Sequence, residues 1–292
     1  MKKVLCAVMC VLTVGILVHT AGSLERSVIR LGLLSKLNTT EEEFSEAWQK
    51  TFAPKNGSLQ VIVKFYDTLT AMQMALNAGE IHQVVLPEAV AEYVLSVNPQ
   101  AEATLVLPSR GMGLAFGFRE DSRELRDKFS EALRAMREDW TLPTIEGVYM
   151  SRPGESPEPV KFSVYPGAQT IKAAVTGDLP PIDYIAPDGT PAGFNTAVLA
   201  EIGRRLHVNI ELAEVDTGAR TSALASGRAD VVFWYEVDAS SETQPDIPDG
   251  VIISEPYYEW HKFIHLRKAQ PKSSGSKWDI LNGLLNLYNA GR

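Results

Sequence analysis

The chain has 292 residues, 45% of them hydrophobic and 22% charged, with a formal net charge of −8. That is the balance of a soluble globular protein with room for one large or two smaller domains. An acidic surface of this size excludes nucleic acid as an expected partner, since that would need a basic patch. At the N-terminus, Lys2 and Lys3 precede an apolar stretch over 4–18 and the small residues Ala21-Gly22-Ser23, the pattern of a cleavable secretory signal over 1–23. The stretch is shorter than the roughly 20 residues of a spanning helix. Cys6 and Cys10 both lie inside it, so the mature chain has no thiol chemistry or disulfide, and neither is placed as a lipid-anchored cysteine. A free periplasmic protein is expected, two charge units more negative once Lys2 and Lys3 are removed.

Residues 27–34 read as a strand leading into Ser35-Lys36-Leu37-Asn38. Thr39 and Thr40 are each followed three residues later by Glu42 and Glu43, a doubled capping-box signal for a helix with Phe44, Ala47 and Trp48 on its apolar face. Pro54 and Asn56-Gly57 end it. A strand over 59–65 follows, with Asp67 as a cap and Leu69, Met72 and Leu76 as the buried face of a helix stopped at Gly79. Residues 84–86 lead through Pro87 to a helix carrying Val90, Val94 and Leu95. Strands are predicted at 105–107 and 114–118, then an amphipathic helix over 122–138 ending near Asp139-Trp140. Residues 151–159, rich in Pro, Ser and Glu, read as a linker.

The run 171–237 packs a strand, a polar loop, a capped helix, a strand, a second helix and a third strand together. Residues 171–175 are apolar and break at Thr176-Gly177-Asp178; Pro180-Pro181 and the Asp188-Gly189 turn follow. Asn195 reads as the N-cap of a helix over 196–206, with Val198, Leu199, Ile202 and Leu206 at helical spacing. Val208, Ile210 and Leu212 alternate as in a strand; 217–226 reads as a helix stopped by Gly227, and 230–234 as the next strand. Residues 236–250 form a polar surface loop, 251–253 and 263–266 strands, 269–277 a flexible linker. The segment 278–288 reads as a short helix with Ile280, Leu281, Leu284, Leu285 and Tyr288 on one face, for packing on a lobe or docking a partner. Ala75-Leu76-Asn77-Ala78-Gly79 and Ala223-Leu224-Ala225-Ser226-Gly227, each before an apolar strand, suggest two equivalent units.

Strand and helix alternating in this way predict parallel sheets covered by helices, which bind ligands at the carboxyl ends of their strands. Gly177 through Tyr184, Asp188-Gly189, Gly193 through Asn195 and Ala223 through Asp230 together resemble the bacterial extracytoplasmic solute-binding proteins of polar-amino-acid ABC transporters. The resemblance implies an α/β fold of two Rossmann-like lobes joined by a hinge, like the type II periplasmic binding proteins. Residues 27–150 resemble that family's second lobe with its terminal helix, and 160–268 its first lobe, so the order of lobes is circularly permuted. It further implies a monomer that closes around a small polar or carboxylated solute and delivers it to an ABC permease or a sensor. Candidate ligand-binding residues are Asp178 and Tyr184 in the loop, Arg220 at a helix start, and Trp234, Tyr235 and Glu236 at a strand end. From the other lobe come Ser35, Lys36, Asn38 and Thr39 at a helix N-terminus and Tyr66 at a strand end. Arg220 suits a two-pronged grip on a carboxylate; a solvated charge on a helix is the alternative. Trp234 and Tyr235 are adjacent in a strand, so both cannot face the core and one is expected to line the cleft.

Two departures separate the chain from the amino-acid binders. No Thr-x-x-Arg segment lies between Asp238 and Gly250, and the position expected to hold an Asp for the α-amine is Leu86-Pro87, with Glu88 the nearest acid. His261 and His265 are four apart but in a strand pattern, without a third ligand, so no metal site is expected. No cofactor motif, nucleophile elbow or P-loop is visible, and no catalytic residue is assigned. Two other classes stay open. One is a dehydratase-like relative with Asp178, Glu88 or Glu236 as acid or base; the other is a sensor or interaction module without solute binding.

Overall fold

A computed structural model describes residues 27–52, 59–109, 111–151, 159–238 and 246–269, apart from the side chains of residues 51, 52, 234, 235 and 238. The expected signal over 1–23, most of the 151–159 linker and the helix expected at 278–288 lie outside the described residues. The first half forms β1 (Ser27–Leu34), α1 (Glu41–Phe52), β2 (Leu59–Tyr66), α2 (Leu69–Ala78), β3 (Gln83–Pro87), α3 (Glu88–Val97) and β4 (Ala101–Pro108). Local chemistry sets the helix ends. The Thr40 N–H donates to Glu43 Oε2 at 2.9 Å and the Glu43 N–H to Thr40 Oγ1 at 3.2 Å, a reciprocal capping box. The cap of α2 is Thr68, whose Oγ1 accepts the Ala71 N–H, and not the expected Asp67. Its other end closes on Gly79 at φ 79°, a left-handed conformation glycine adopts without strain.

The second half continues with β5 (Met112–Arg119), α4 (Arg123–Glu138), α5 (Thr141–Tyr149) and β6 (Thr170–Val175). The short strands β7 (Asp178–Leu179), β8 (Asp183–Ile185) and β9 (Pro191–Ala192) lead to α6 (Phe194–Leu206) and β10 (Asn209–Glu214). A 3₁₀ turn at Thr217–Ala219, α7 (Arg220–Ala225), β11 (Val231–Asp238), β12 (Val251–Ile253), β13 (Tyr258–Glu259) and β14 (Lys262–Lys268) complete it. Helix α5 was not expected from the sequence. The cap of α6 also differs: Gly193 holds it at φ 105°, and Asn195 sits inside the first turn, fully buried. There its main-chain N–H donates to the Ile182 carbonyl at 2.8 Å and its Oδ1 accepts from the Tyr257 hydroxyl at 2.9 Å.

Two large sheets result, ordered β2-β1-β3-β14-β4 and β10-β6-β11-β5-β12. In the first, β2 and β3 flank β1 in parallel and β14 runs antiparallel between β3 and β4. In the second, β10 and β11 flank β6 in parallel and β5 runs antiparallel between β11 and β12. The same arrangement is thus built twice, and each sheet takes its antiparallel strand from the other part of the chain. Residues 112–119 pair with the second sheet although they precede the 151–159 linker, and α4 packs there too, Phe129 meeting the Phe116 ring edge-on at 5.4 Å.

The chain passes between the sheets twice, from β4 to β5 and from β13 to β14, and the two passages are hydrogen-bonded to each other. Trp260 N–H donates to the Met112 carbonyl at 2.7 Å, and Ser109 N–H to the His261 carbonyl at 2.9 Å. Gly113 is needed at this hinge because a Cβ there would stand 2.4 Å from the Tyr258 carbonyl oxygen. Buried side chains from both sheets, Leu86 and Ile264 in one and Phe116 and Phe233 in the other, belong to one apolar cluster. Among the described residues no helix is long and apolar enough to cross a membrane.

Candidate functional site

In open α/β sheets the loops after the parallel strands carry the binding groups. Here those of the two sheets meet: the turn after β1 and the start of α2 on one side, the loops after β6, β10 and β11 on the other. Both sides begin from main-chain geometry. Leaving β6, the chain doubles back through the small β7–β8–β9 sheet, and Asp183 holds this bend from inside. Its carboxylate, 1% exposed, accepts from the Gly177 N–H at 2.5 Å, the Thr176 N–H at 3.1 Å and the Thr176 hydroxyl at 2.9 Å. Burial raises its pKa, and those hydrogen bonds and the charge of Arg220 work against the rise. Asp183 is not among the expected site residues, although an acid two residues after Pro-Pro and next to the predicted Tyr184 is a natural acceptor for the main chain of the preceding Thr-Gly.

Arg220, the leading candidate, lies beneath the cleft floor. It is 2% exposed, with Nε donating to the Thr217 carbonyl at 2.9 Å and Nη1 to the Phe233 carbonyl at 3.5 Å. It ties the turn after β10 to the first half of β11. Asp178, at the start of β7, reaches across instead. Its Oδ2 accepts the Thr70 N–H and its Oδ1 the Thr70 hydroxyl, each at 3.0 Å, at the first turn of α2. Nearby, the Thr217 hydroxyl donates to the Asp67 carbonyl at 2.7 Å.

The turn of predicted residues after β1 meets the far end of β11. Lys36 forms an ion pair with Glu236, and their side chains are 15% and 10% exposed. Asp246 Oδ1 accepts the Leu37 N–H at 2.7 Å and the Asn38 N–H at 3.3 Å, and Asn38 Nδ2 donates to the Ile247 carbonyl at 3.4 Å. Burial raises the Asp246 pKa, Glu236 pushes the same way, and Lys36 opposes. Asp246 was read as part of a surface loop; only the fold brings it to the 35–38 turn. The Ser35 N–H is taken by the Tyr66 carbonyl at 2.9 Å, within its own sheet. Thr39 is half-buried. Tyr184 is half-buried on β8 opposite Asp178; burial, and then Tyr93 of α3, raise its phenol pKa. Burial raises that of Tyr66 too, followed by the charges of Glu80 and Glu41. Trp234 and Tyr235 lie in β11, Tyr235 pairing with Ala115, and their side chains fall outside the described set.

The fold therefore gathers Lys36, Asn38, Asp178 and Glu236 at one meeting of loops, adds Asp246, Thr70 and Thr217, and places Arg220 below them. The cavity between Asp67 and Thr68 on one side and Thr176, Asp178 and Thr217 on the other measures about 10 Å³, room for about one water. Glu88, the alternative acid, pairs with Lys262 at 2.8 Å next to the hinge. Among the described residues no group of three or more His, Cys, Asp or Glu side chains is placed to hold a metal.

Residues 171–282 match the model of the family described as bacterial extracellular solute-binding proteins, family 3. The match covers less than half of the chain and includes the motifs from Gly177 to Asp230, but not residues 27–150. No curated protein matches by sequence. Among solved structures, the ligand-binding component of an ABC-type import system from Staphylococcus aureus, with zinc bound, is similar at TM-score 0.43 and 9% identity, over 83% of this chain and 66% of that one. The PBP AgaA from A. tumefaciens R10, in complex with agropinic acid, is similar at TM-score 0.41 and 10% identity, over 75% of this chain and 57% of that one. The CcmR regulatory domain from Synechocystis PCC6803, in complex with 2-PG, is similar at TM-score 0.39 and 12% identity, over 89% and 97%. This chain thus spans about two thirds or less of the first two, and at these scores none of the three carries an argument about function.

Proposed function

We propose that the chain is an extracytoplasmic binding protein that takes a small polar or carboxylated solute between its two sheets and presents it to an ABC permease or a sensor. The observation that carries this reading is the twice-built sheet, with the ends of both sets of parallel strands facing one another across a hinge of two passages. The family match over 171–282 supports a binding role, and the family's description supports an address outside the cytoplasm, in line with the signal read over 1–23. The proposed contacts are Lys36, Asn38, Asp178 and Glu236 at the cleft surface, with Ser35, Thr39, Tyr66, Tyr184, Trp234 and Tyr235 around them and Arg220 holding the floor. The circularly permuted lobe order belongs to the same proposal; the family match over 171–282, in the later part of the chain where the first-lobe motifs were read, supports it. Binding without turnover, by a monomer, completes the reading.

The test is a thermal-shift screen of the purified protein against amino acids and organic acids, followed by calorimetry. A solute that binds only the folded chain raises the melting temperature with concentration, by RT ln(1 + [L]/Kd) in free energy. No shift at millimolar concentration across the panel would refute solute binding. It would favour the interaction module, which the filling of the cleft by the chain's own side chains also supports.

A further inference from the structure

The cleft is bridged by groups of the chain itself, and three carboxylates, Asp178, Asp246 and Glu236, are among the acceptors. On the first sheet's side, three main-chain N–H groups have no acceptor within their own sheet or helix: those of Leu37, Asn38 and Thr70. Thr70 shows why. Thr68 caps α2 by taking the Ala71 N–H, and an N-terminal turn leaves its remaining N–H groups unpaired. Asp178 and Asp246, both from the second sheet's side, accept these three. The Lys36–Glu236 pair and the Thr217–Asp67 bond add a third and a fourth link. With about 10 Å³ left among Asp67, Asp178 and Thr217, a solute larger than water cannot share that ground with the latch.

We propose that these contacts are a latch, and that the protein rests closed on its own carboxylates, so that a solute enters only by displacing Asp178 and Asp246 from Thr70, Leu37 and Asn38. The proposal rests on the two-sheet geometry and not on the identity, or existence, of a solute. A latch of this kind lowers apparent affinity in proportion to the fraction of molecules held closed, and it ties the first sheet's helix ends to the second sheet's acids whenever the cleft is unloaded.

The test uses the full chain with nothing added. Amide hydrogen exchange is followed at Leu37, Asn38 and Thr70, and the radius of gyration is measured by small-angle scattering, in the wild type and in Asp178→Ala/Asp246→Ala. The latch predicts protected amides at all three residues in the wild type. In the variant it predicts exchange faster by about tenfold or more, the equivalent of one lost hydrogen bond, together with a larger radius of gyration. Unprotected amides in the wild type, or exchange and radius unchanged in a variant with native circular dichroism, would overturn it. Should the double variant not fold, the wild-type protection pattern decides, and Thr70→Val supplies a milder break. No solute is required, so failure here leaves the solute-binding reading to its own screen.

Discussion

His265 makes folding sensitive to acid in a window that can be worked out from its surroundings. It sits in β14, 2% exposed, against the Trp48 ring at 5.7 Å. One ring nitrogen, Nδ1, lies 2.9 Å from Gln83 Oε1, and the other, Nε2, is buried with no hydrogen-bond partner among the described residues. A proton on Nε2 would be a buried donor without an acceptor, and burial pushes the pKa from 6.5 down to about 4. Between those values the unfolded chain binds a proton that the native chain refuses. The stabilisation is therefore complete above about pH 6.5 and is lost as the pH falls toward 4. At about 1.4 kcal/mol per pH unit the whole displacement amounts to about 3 kcal/mol, of which about 2 kcal/mol is lost between pH 7 and pH 5. Carboxylates titrate in the same range, so the quantity to measure is a difference. Urea unfolding of wild type and His265→Gln at both pH values should show the wild type losing about 2 kcal/mol more than the variant. Equal losses, or an imidazole that titrates near 6.5 by NMR in the native protein, would refute the reasoning.

Three further outcomes are expected. Gly193→Ala places a Cβ 2.5 Å from the Ile182 carbonyl oxygen at φ 105°, where only main chain could yield, and should destabilise by about 3 kcal/mol in denaturant titration. Tyr257→Phe removes the hydroxyl from buried Asn195, whose Nδ2 has no partner among the described residues; a cost of about 2 kcal/mol is expected by calorimetry. Arg220→Met takes a buried cation from beside buried Asp183 and should lower stability by about 3 kcal/mol or more. Its pH dependence should change in step, because Asp183 loses the charge that favours its ionised form.

What was legible in the sequence was local. The Thr40–Glu43 box, the Gly79 stop and the strands β1, β2 and β6 each depend on residues within a turn or a strand of one another and lie within a residue of the expected bounds, while β10 runs one to two residues later, over Asn209–Glu214. Two caps were misplaced by one or two residues because a competing neighbour had the better geometry: Thr68 over Asp67, and Gly193, with its φ of 105°, over Asn195. Helix α5 follows Trp140 in a left-handed conformation and contains Pro143 near its start, so the expected chain break hid a helix whose apolar residues Leu142 and Ile145 are suitably spaced. The site was legible only in part. Lys36 and Glu236 were both candidates, but their pairing joins positions 200 residues apart. Arg220 was weighed as a ligand clamp against a solvated charge, while burial beside an equally buried acid depends on long-range packing that no local pattern carries. The exchange of β5 and β14 between sheets is of the same kind: 263–266 reads as a connecting strand, but which sheet takes it, and that β5 is taken by the other, depends on long-range pairing.

That exchange has a consequence for any attempt to take the molecule apart. A piece ending before the linker would hold β5 without the neighbours β5 needs, and a gap where β14 belongs between β3 and β4; the remaining piece would have the converse defect. Neither should be a soluble product by itself. Co-produced, each would carry the missing rib of the other, so a polypeptide cut within 152–158 is suited to reassembly by complementation, strand insertion restoring both sheets at once.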